Sequence, residues 1–332
     1  MRFVRRTLLL ISLMVILLSI TGVNQLSELA NFQFKAEVEK NFFNGLPGSN
    51  NQILVVKIDD SNPAHPQIGV EDADLVYVEQ VEGGITRLAA IYTSKLPPLI
   101  GPIRSARISD IELLAQFGRV GFAYSGAQSK MRPVIAAANL ENLSAERNPP
   151  SIYGKDPDRP GPVDMILKPD LLLERANANP KTRIETATAS VFPFGDAPKG
   201  ETNTAVAKVK WPSAKYELRW DSTNEKWLIY FNEKPNMAAN GEQLYADTAI
   251  IQIVSITPSI YGDKFGEITP FSKTTGSGKA VMLRDGLSYQ ISWQRNLETD
   301  LTTWKSQDGG VANFKPGRTW IFLTDKAPVL TP

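Results

Sequence analysis

Between Asp59 and Arg107 the acids and arginines stand at the ends of apolar runs, where side chains leave a core and can meet a ligand. The run ILVVKI ends in Asp59 and Asp60; LVYVEQVEGGITRLAAIYT carries Glu79, Glu82 and Arg87; GPIRSARISDIELL carries Arg104 and Arg107. Guanidinium forks match phosphate or carboxylate, and carboxylates supply oxygen ligands to magnesium or calcium. Arg104 and Arg107 also precede a predicted helix, opened by the S-x-x-E box of Ser109 and Glu112. Free N–H groups and the dipole at such a start favour an anion, although Asp110 and Glu112 already place negative charge there. The Ser125-Gly126 turn, between an apolar strand and a helical stretch, adds backbone donors. The candidate anion ligands are thus Arg87, Arg104, Arg107, Ser125 and Gly126, with Asp59, Asp60, Glu79 and Glu82 as acidic partners or ligands for magnesium. Plainer roles compete at these positions: Asp59 and Asp60 as turn formers, Glu79 with an arginine as a structural pair, His65 as a turn residue beside Pro66. No residue is singled out as catalytic.

Glu79 follows Leu75 and Tyr77 at period two, so its carboxylate points the way apolar groups point. Unpaired burial would cost on the order of several kcal/mol. It needs a cation, and Arg87, Arg104 and Arg107 are the candidates. Loop length decides which side chains meet. A two-residue Gly83-Gly84 turn puts Glu82 and Arg87 on one face, with Glu79 opposite Leu88. A three-residue Glu82-Gly83-Gly84 loop, with a glycine in the left-handed region, sets Glu79 directly across from Arg87.

Composition narrows the chemistry. The 332 residues are 42% hydrophobic and 21% charged, ordinary for a folded chain and long enough for two domains. A net charge of +1 gives no basic field for nucleic acid. The absence of cysteine excludes thiolate zinc sites, iron–sulfur clusters, disulfides and a cysteine nucleophile. With His65 the sole histidine, any metal would need oxygen ligands.

These residues must be positioned by an ordered chain. Arg2, Arg5 and Arg6 precede TLLLISLMVILLSITGV, an uncharged stretch near the lower limit for a membrane span. No convincing small-x-small cleavage pattern follows, so residues 1–23 read as an uncleaved signal-anchor rather than a cleaved signal. The positive flank puts the N-terminus in the cytoplasm and the bulk of the chain outside it, in a single-pass cell-membrane protein. Residues 24–50 read as a stalk. Residues 51–190 interleave strands and helices, as in an α/β-type sandwich. A small, polar, Pro/Gly-containing stretch over 186–205 marks a boundary. Beyond it, 200–332 reads as a mainly antiparallel β domain, with a type I′ hairpin at Asp285-Gly286 and the tryptophans as core. The fold class expected is α+β.

The stretch KIDDSNPAHPQIGVEDADLVYVEQVEGGITRLAAIYTSKLPPLIGPIRSAR resembles the signature of the YerB-like lipoprotein family, defined by the domain of unknown function 3048. TTGSGKAVMLRDGLSYQISWQRNLETDLTTW, followed by PGRTWIFL, resembles the family's second part. The resemblance covers nearly all of the chain beyond residue 50 and implies location and architecture, not an activity. Three departures stand out. The chain lacks a lipobox cysteine, so a transmembrane anchor takes its place; Asp60 stands where Asn is usual and His65 where Arg is expected; PDRPGPVDMILKP lacks a His-Asn pair.

A second likeness concerns layout alone. A hairpin holding acid and arginine, a loop with paired arginines and then a helix is similar to the LytR–CpsA–Psr phosphotransferases, which use arginines, acids and magnesium on a polyprenyl pyrophosphate. Three functions stay open. One is an envelope protein that binds an anionic envelope ligand or an envelope protein partner at a cleft in its N-terminal domain. Another is a magnesium-dependent phosphotransferase or hydrolase on a lipid pyrophosphate or glycopolymer. The last is a structural envelope module.

Overall fold

The run ILVVKI forms strand β1 (Leu54–Asp59), every residue of which is buried. Continuous apolar character is what a strand covered on both faces requires. β1 lies inside an eleven-stranded sheet in a computed structural model that describes residues 38–263 and 266–332. Strands β2 (Leu75–Gln80) and β3 (Thr86–Tyr92) form the expected hairpin, and β3 pairs antiparallel with β1. On the other side of β1, β4 (Val120–Ala123) and β5 (Leu140–Asn142) follow in parallel. The C-terminal ends of β1, β2, β4 and β5 therefore share one edge of the sheet with the start of β3. That edge is where a mostly parallel arrangement leaves loops free to build a site.

The second half of the chain continues the same sheet. Strand Thr319–Thr324 lies between β2 and Thr248–Ile253, parallel to both. Gly276–Arg284, Leu287–Arg295 and Thr303–Ser306 extend it antiparallel. Asp285 and Gly286, at φ 54° and 73°, make the turn between the first two of these, as Asp-Gly predicts. A further six-stranded sheet is antiparallel throughout. The class is α+β, and the C-terminal strands are mainly antiparallel.

Alternation along the strands sends side chains to two cores. Leu54, Val56 and Ile58 face Tyr216, Leu218 and Trp227 of the six-stranded sheet. Val55, Leu75, Tyr77, Ala89 and Ile91 face Leu113 and Leu114 of helix α1 (Ile108–Ala115). Helices α2 (Arg132–Ala137) and α3 (Pro169–Asn177) are short, and α3 starts at its proline, where a missing N–H costs nothing. Trp211, Trp227, Trp293, Trp304 and Trp320 are buried, which makes them core rather than a stacking surface.

Two expectations are corrected here. Residues 40–50, expected within a solvated stalk, belong to the folded body. Phe43 is fully buried, and the Asn41 and Asn44 amides donate to Thr93 Oγ1 at 3.0 Å and Asp74 Oδ1 at 2.6 Å. The Ser109–Glu112 box does not cap α1: the helix starts at Ile108 with Arg107 as its N-cap, and the Asp110 carboxylate accepts the Arg107 N–H at 2.6 Å. Ser109 Oγ instead accepts Ser272 N–H at 3.0 Å, and Glu112 accepts those of Thr274 and Thr275 at 2.6 and 2.8 Å. The signal-anchor 1–23 and the stalk up to residue 37 lie outside the described residues. Among the described residues, no helix is long and apolar enough to cross a membrane.

Candidate functional site

The face of β1–β3 that meets α1 is apolar until the sheet's edge, where it turns ionic. The hairpin loop is the three-residue alternative: Val81 N–H bonds Ile85 C=O at 2.9 Å, and Gly83 and Gly84 sit at φ 68° and 69°. This register sets Glu79 across from Arg87, and β1 sets Asp59 across from Arg87 on the other side. One row therefore reads Glu79, Arg87, Asp59 across three strands.

The row does not pair as drawn. Glu79 is fully buried and its cation is Lys57, whose ammonium also donates to Asp110 Oδ1 at 2.8 Å. None of the three candidate arginines takes that role. Lys57 went unremarked in the sequence, though it lies at period two between Val55 and Asp59 inside a fully buried strand. That position was the available signal. Asp59 pairs with Arg104 Nε at 2.5 Å and accepts Ser61 N–H at 2.7 Å. Glu82, 8% exposed, accepts from Arg107 Nε at 2.8 Å and from the Thr269 hydroxyl. Burial raises the Glu82 pKa, but the Arg107 charge and these bonds outweigh it and leave the carboxyl below its usual range.

Arg87 is the cation left over. It is 5% exposed; Nη1 donates to Ser105 C=O at 2.8 Å, and Nε has no hydrogen-bond partner. Among the described residues no carboxylate forms an ion pair with it. Arg107 Nη1 donates to the same Ser105 carbonyl at 3.3 Å, so two guanidinium groups converge on one oxygen. Burial, then Arg107 and Arg104, push Arg87 down to about 9. A guanidinium keeps its proton in proteins. The depression therefore expresses burial and like charge that the nearby Asp59 and Glu82 carboxylates offset only in part.

The Ser125-Gly126 turn lies beside this cluster, but its backbone is largely committed. Ser125 N–H bonds Arg104 C=O at 2.9 Å, and Gly126 C=O accepts Ala106 N–H at 3.0 Å. What the turn offers is the Ser125 hydroxyl, 3.3 Å from that of Ser105. Arg104, Ser105, Ser125 and Gly126 are half-exposed, so solvent reaches the cluster there. Asp60 stands apart. Its carboxylate is fully buried and accepts from Thr86, Gln67 and Tyr216 at 2.5, 3.0 and 2.8 Å, a structural knot between the hairpin and the six-stranded sheet. His65 belongs to that knot: Nε2 lies 3.2 Å from Asp60, Nδ1 3.0 Å from Asn236 Oδ1, and the ring stacks on Phe231.

Magnesium would need several free oxygens together. Asp59, Glu79 and Glu82 each already hold a cationic side chain, and Lys57 occupies the gap between Glu79 and Asp110. Among the described residues no cluster of three or more His, Asp or Glu could hold a metal. The donors do not fit the ion.

Comparison with known proteins agrees with this architecture. The sequence profile described as "Protein of unknown function (DUF3048) N-terminal domain" matches residues 44–183, and the DUF3048 C-terminal domain matches 207–321. "Putative lipoprotein YerB" of Bacillus subtilis (strain 168) is 43% identical over 268 residues, covering 81% of this chain and 80% of that protein. The crystal structure of YerB protein from Bacillus subtilis superposes with a TM-score of 0.74 at 21% identity, over 89% of this chain and 100% of that one, a likeness of fold. This chain is a member of the DUF3048 family, and its arginine cluster falls within that family's N-terminal domain.

Proposed function

We propose that this protein is an extracytoplasmic cell-envelope protein, held at the membrane by its N-terminal apolar segment, that binds an anionic ligand at Arg87, Arg104 and Arg107. The observation that carries this reading is Arg87, a buried guanidinium with an unpartnered Nε and no carboxylate of its own, beside two further arginines. A phosphate or carboxylate entering over Ser105 and Ser125 would receive charge-assisted bonds from Arg87 and two hydroxyl donors. The lipoprotein name of the Bacillus relative and the N-terminal charge pattern support the location. Titration of the full chain in detergent with inorganic phosphate and pyrophosphate tests the reading. Binding should weaken as salt rises, since exposed charge is screened over about 8–10 Å at ordinary ionic strength. It should disappear in Arg87→Met. Unchanged binding in that variant, or none at any salt, sinks it.

A further inference from the structure

A second site opens away from the arginine cluster. Between the end of β5, the turn that follows it and the last turn of α3 lies a cleft of about 380 Å³, within the range of about 300–1,000 Å³ typical of small-molecule sites. Two arginines, Arg147 and Arg175, line it, and neither has a carboxylate or hydrogen-bond partner for its side chain among the described residues. The acid in the wall, Glu141, is already engaged by Arg119 at 3.2 Å and by the Arg183 N–H at 3.3 Å.

The amides of the cleft are oriented by their own bonds. Asn142 Oδ1 accepts Ser144 N–H at 3.1 Å, and Asn179 Oδ1 accepts Lys181 N–H at 3.1 Å. Each carbonyl is thereby committed; the Asn142 NH₂ is also engaged, by the Tyr124 hydroxyl, whereas the Asn179 NH₂, with no partner among the described residues, is left to the cleft. Asn148 is turned the other way: its NH₂ donates to Leu143 and Ser144 carbonyls at 3.3 and 2.9 Å, which leaves its oxygen as an acceptor. The wall thus offers two guanidinium forks, one amide donor and one amide acceptor. No aromatic side chain lines it, so a nucleobase would find nothing to stack on.

We infer that this cleft binds an anionic sugar, the arginines taking its phosphate or carboxylate and the asparagines its ring hydroxyls. The forks match either acid group, and an amide acceptor beside an amide donor suits hydroxyls, which both give and take hydrogen bonds. A simple anion would leave Asn148 idle.

The experiment uses the full chain in detergent carrying Arg87→Met, so that the first cluster stays silent. Glucose 1-phosphate, glucuronate, glucose and inorganic phosphate are titrated while the Asn side-chain NH₂ resonances are followed by NMR. The expected result is that at least one anionic sugar binds and shifts the Asn148 and Asn179 signals, about tenfold or more tighter than glucose or phosphate, as charge-assisted bonds added to hydroxyl contacts require. Which of the two binds better identifies the acid group. The double variant Arg147→Gln, Arg175→Gln should lose that binding without a change in melting, because both arginines are exposed. The inference is overturned if neither anionic sugar binds, if the double variant binds as before, or if inorganic phosphate matches glucose 1-phosphate.

Discussion

Arg87 lies directly across from Glu79 on the β2–β3 ladder, yet the Glu79 carboxylate is held by Lys57, one strand further away. Asp59, across from Arg87 on the other ladder, is taken by Arg104. Both cross-strand acids are thus paired elsewhere, and among the described residues no carboxylate forms an ion pair with Arg87. Over the whole cluster the charges balance: Lys57, Arg87, Arg104 and Arg107 stand against Asp59, Glu79, Glu82 and Asp110. The balance keeps the empty site foldable, while the local mismatch at Arg87 leaves one place where an incoming anion gains.

Arg87→Met tests that mismatch through stability. Removing one partner of a buried pair ordinarily costs about 3–5 kcal/mol because it leaves the other charge uncompensated; Arg87 has no ion-pair carboxylate to strand among the described residues, and its own burial cost is removed with it. The Ser105 carbonyl keeps its bond from Arg107, so no acceptor is orphaned. Urea denaturation should show no loss of stability. A loss of several kcal/mol would mean that Arg87 has a structural partner.

Lys57→Met should behave in the opposite way. It leaves Glu79 and Asp110 buried without the ammonium they share, and the cost should be about 3–5 kcal/mol. Adding Glu79→Leu removes the more deeply stranded carboxylate, since Asp110 still accepts the Arg107 N–H. The double variant should recover at least half of the loss in the same denaturation assay. Additive destabilisation would show that the two residues are not coupled.

The strands, the hairpin and its register alternatives were legible because apolar runs and paired glycines act locally. Two glycines in the loop left two registers open, and the Val81–Ile85 hydrogen bond marks the one that faces Glu79 with Arg87. The partner of Glu79 was not legible. A lone lysine in an apolar run carries no sign of its own partner, and its second acid, Asp110, lies 53 residues away. Contacts between the chain's two halves were equally hidden: Thr269 reaches Glu82 across 187 residues, and strand Thr319–Thr324 pairs with β2. Such pairings depend on which surfaces meet in the folded sheet, which alternation along one strand does not encode.

The two glycines of the hairpin loop should differ sharply on substitution by alanine. A Cβ on Gly84 would come within 2.5 Å of Pro212 Cβ, and the Ser213 N–H bonds the Gly84 carbonyl at 2.9 Å, so the loop cannot back away. At Gly83 the nearest atom is the flexible end of Glu267, at 3.4 Å. Both pay for positive φ, about 1 kcal/mol; only Gly84→Ala adds an overpacking cost of about 1–3 kcal/mol. Thermal melts of the two variants should separate clearly, and equal shifts would mean that the contact with Pro212 yields.

Glu82 should make part of the stability depend on acid. Its carboxyl is below the usual range because Arg107 and the Thr269 hydroxyl favour the charged form more than burial opposes it. Between its folded and unfolded pKa values the unfolded chain binds more protons, so stability rises with pH there. The contribution is complete above the unfolded value, near 4.5, and fades as pH falls through the lower folded value. Glu82→Gln removes the titrating group while keeping an oxygen for Arg107 and Thr269. Its unfolding free energy should therefore fall less steeply than that of the unsubstituted protein from about pH 5 downward. Parallel pH profiles in urea denaturation would show that the Glu82–Arg107 bond does not tune folding.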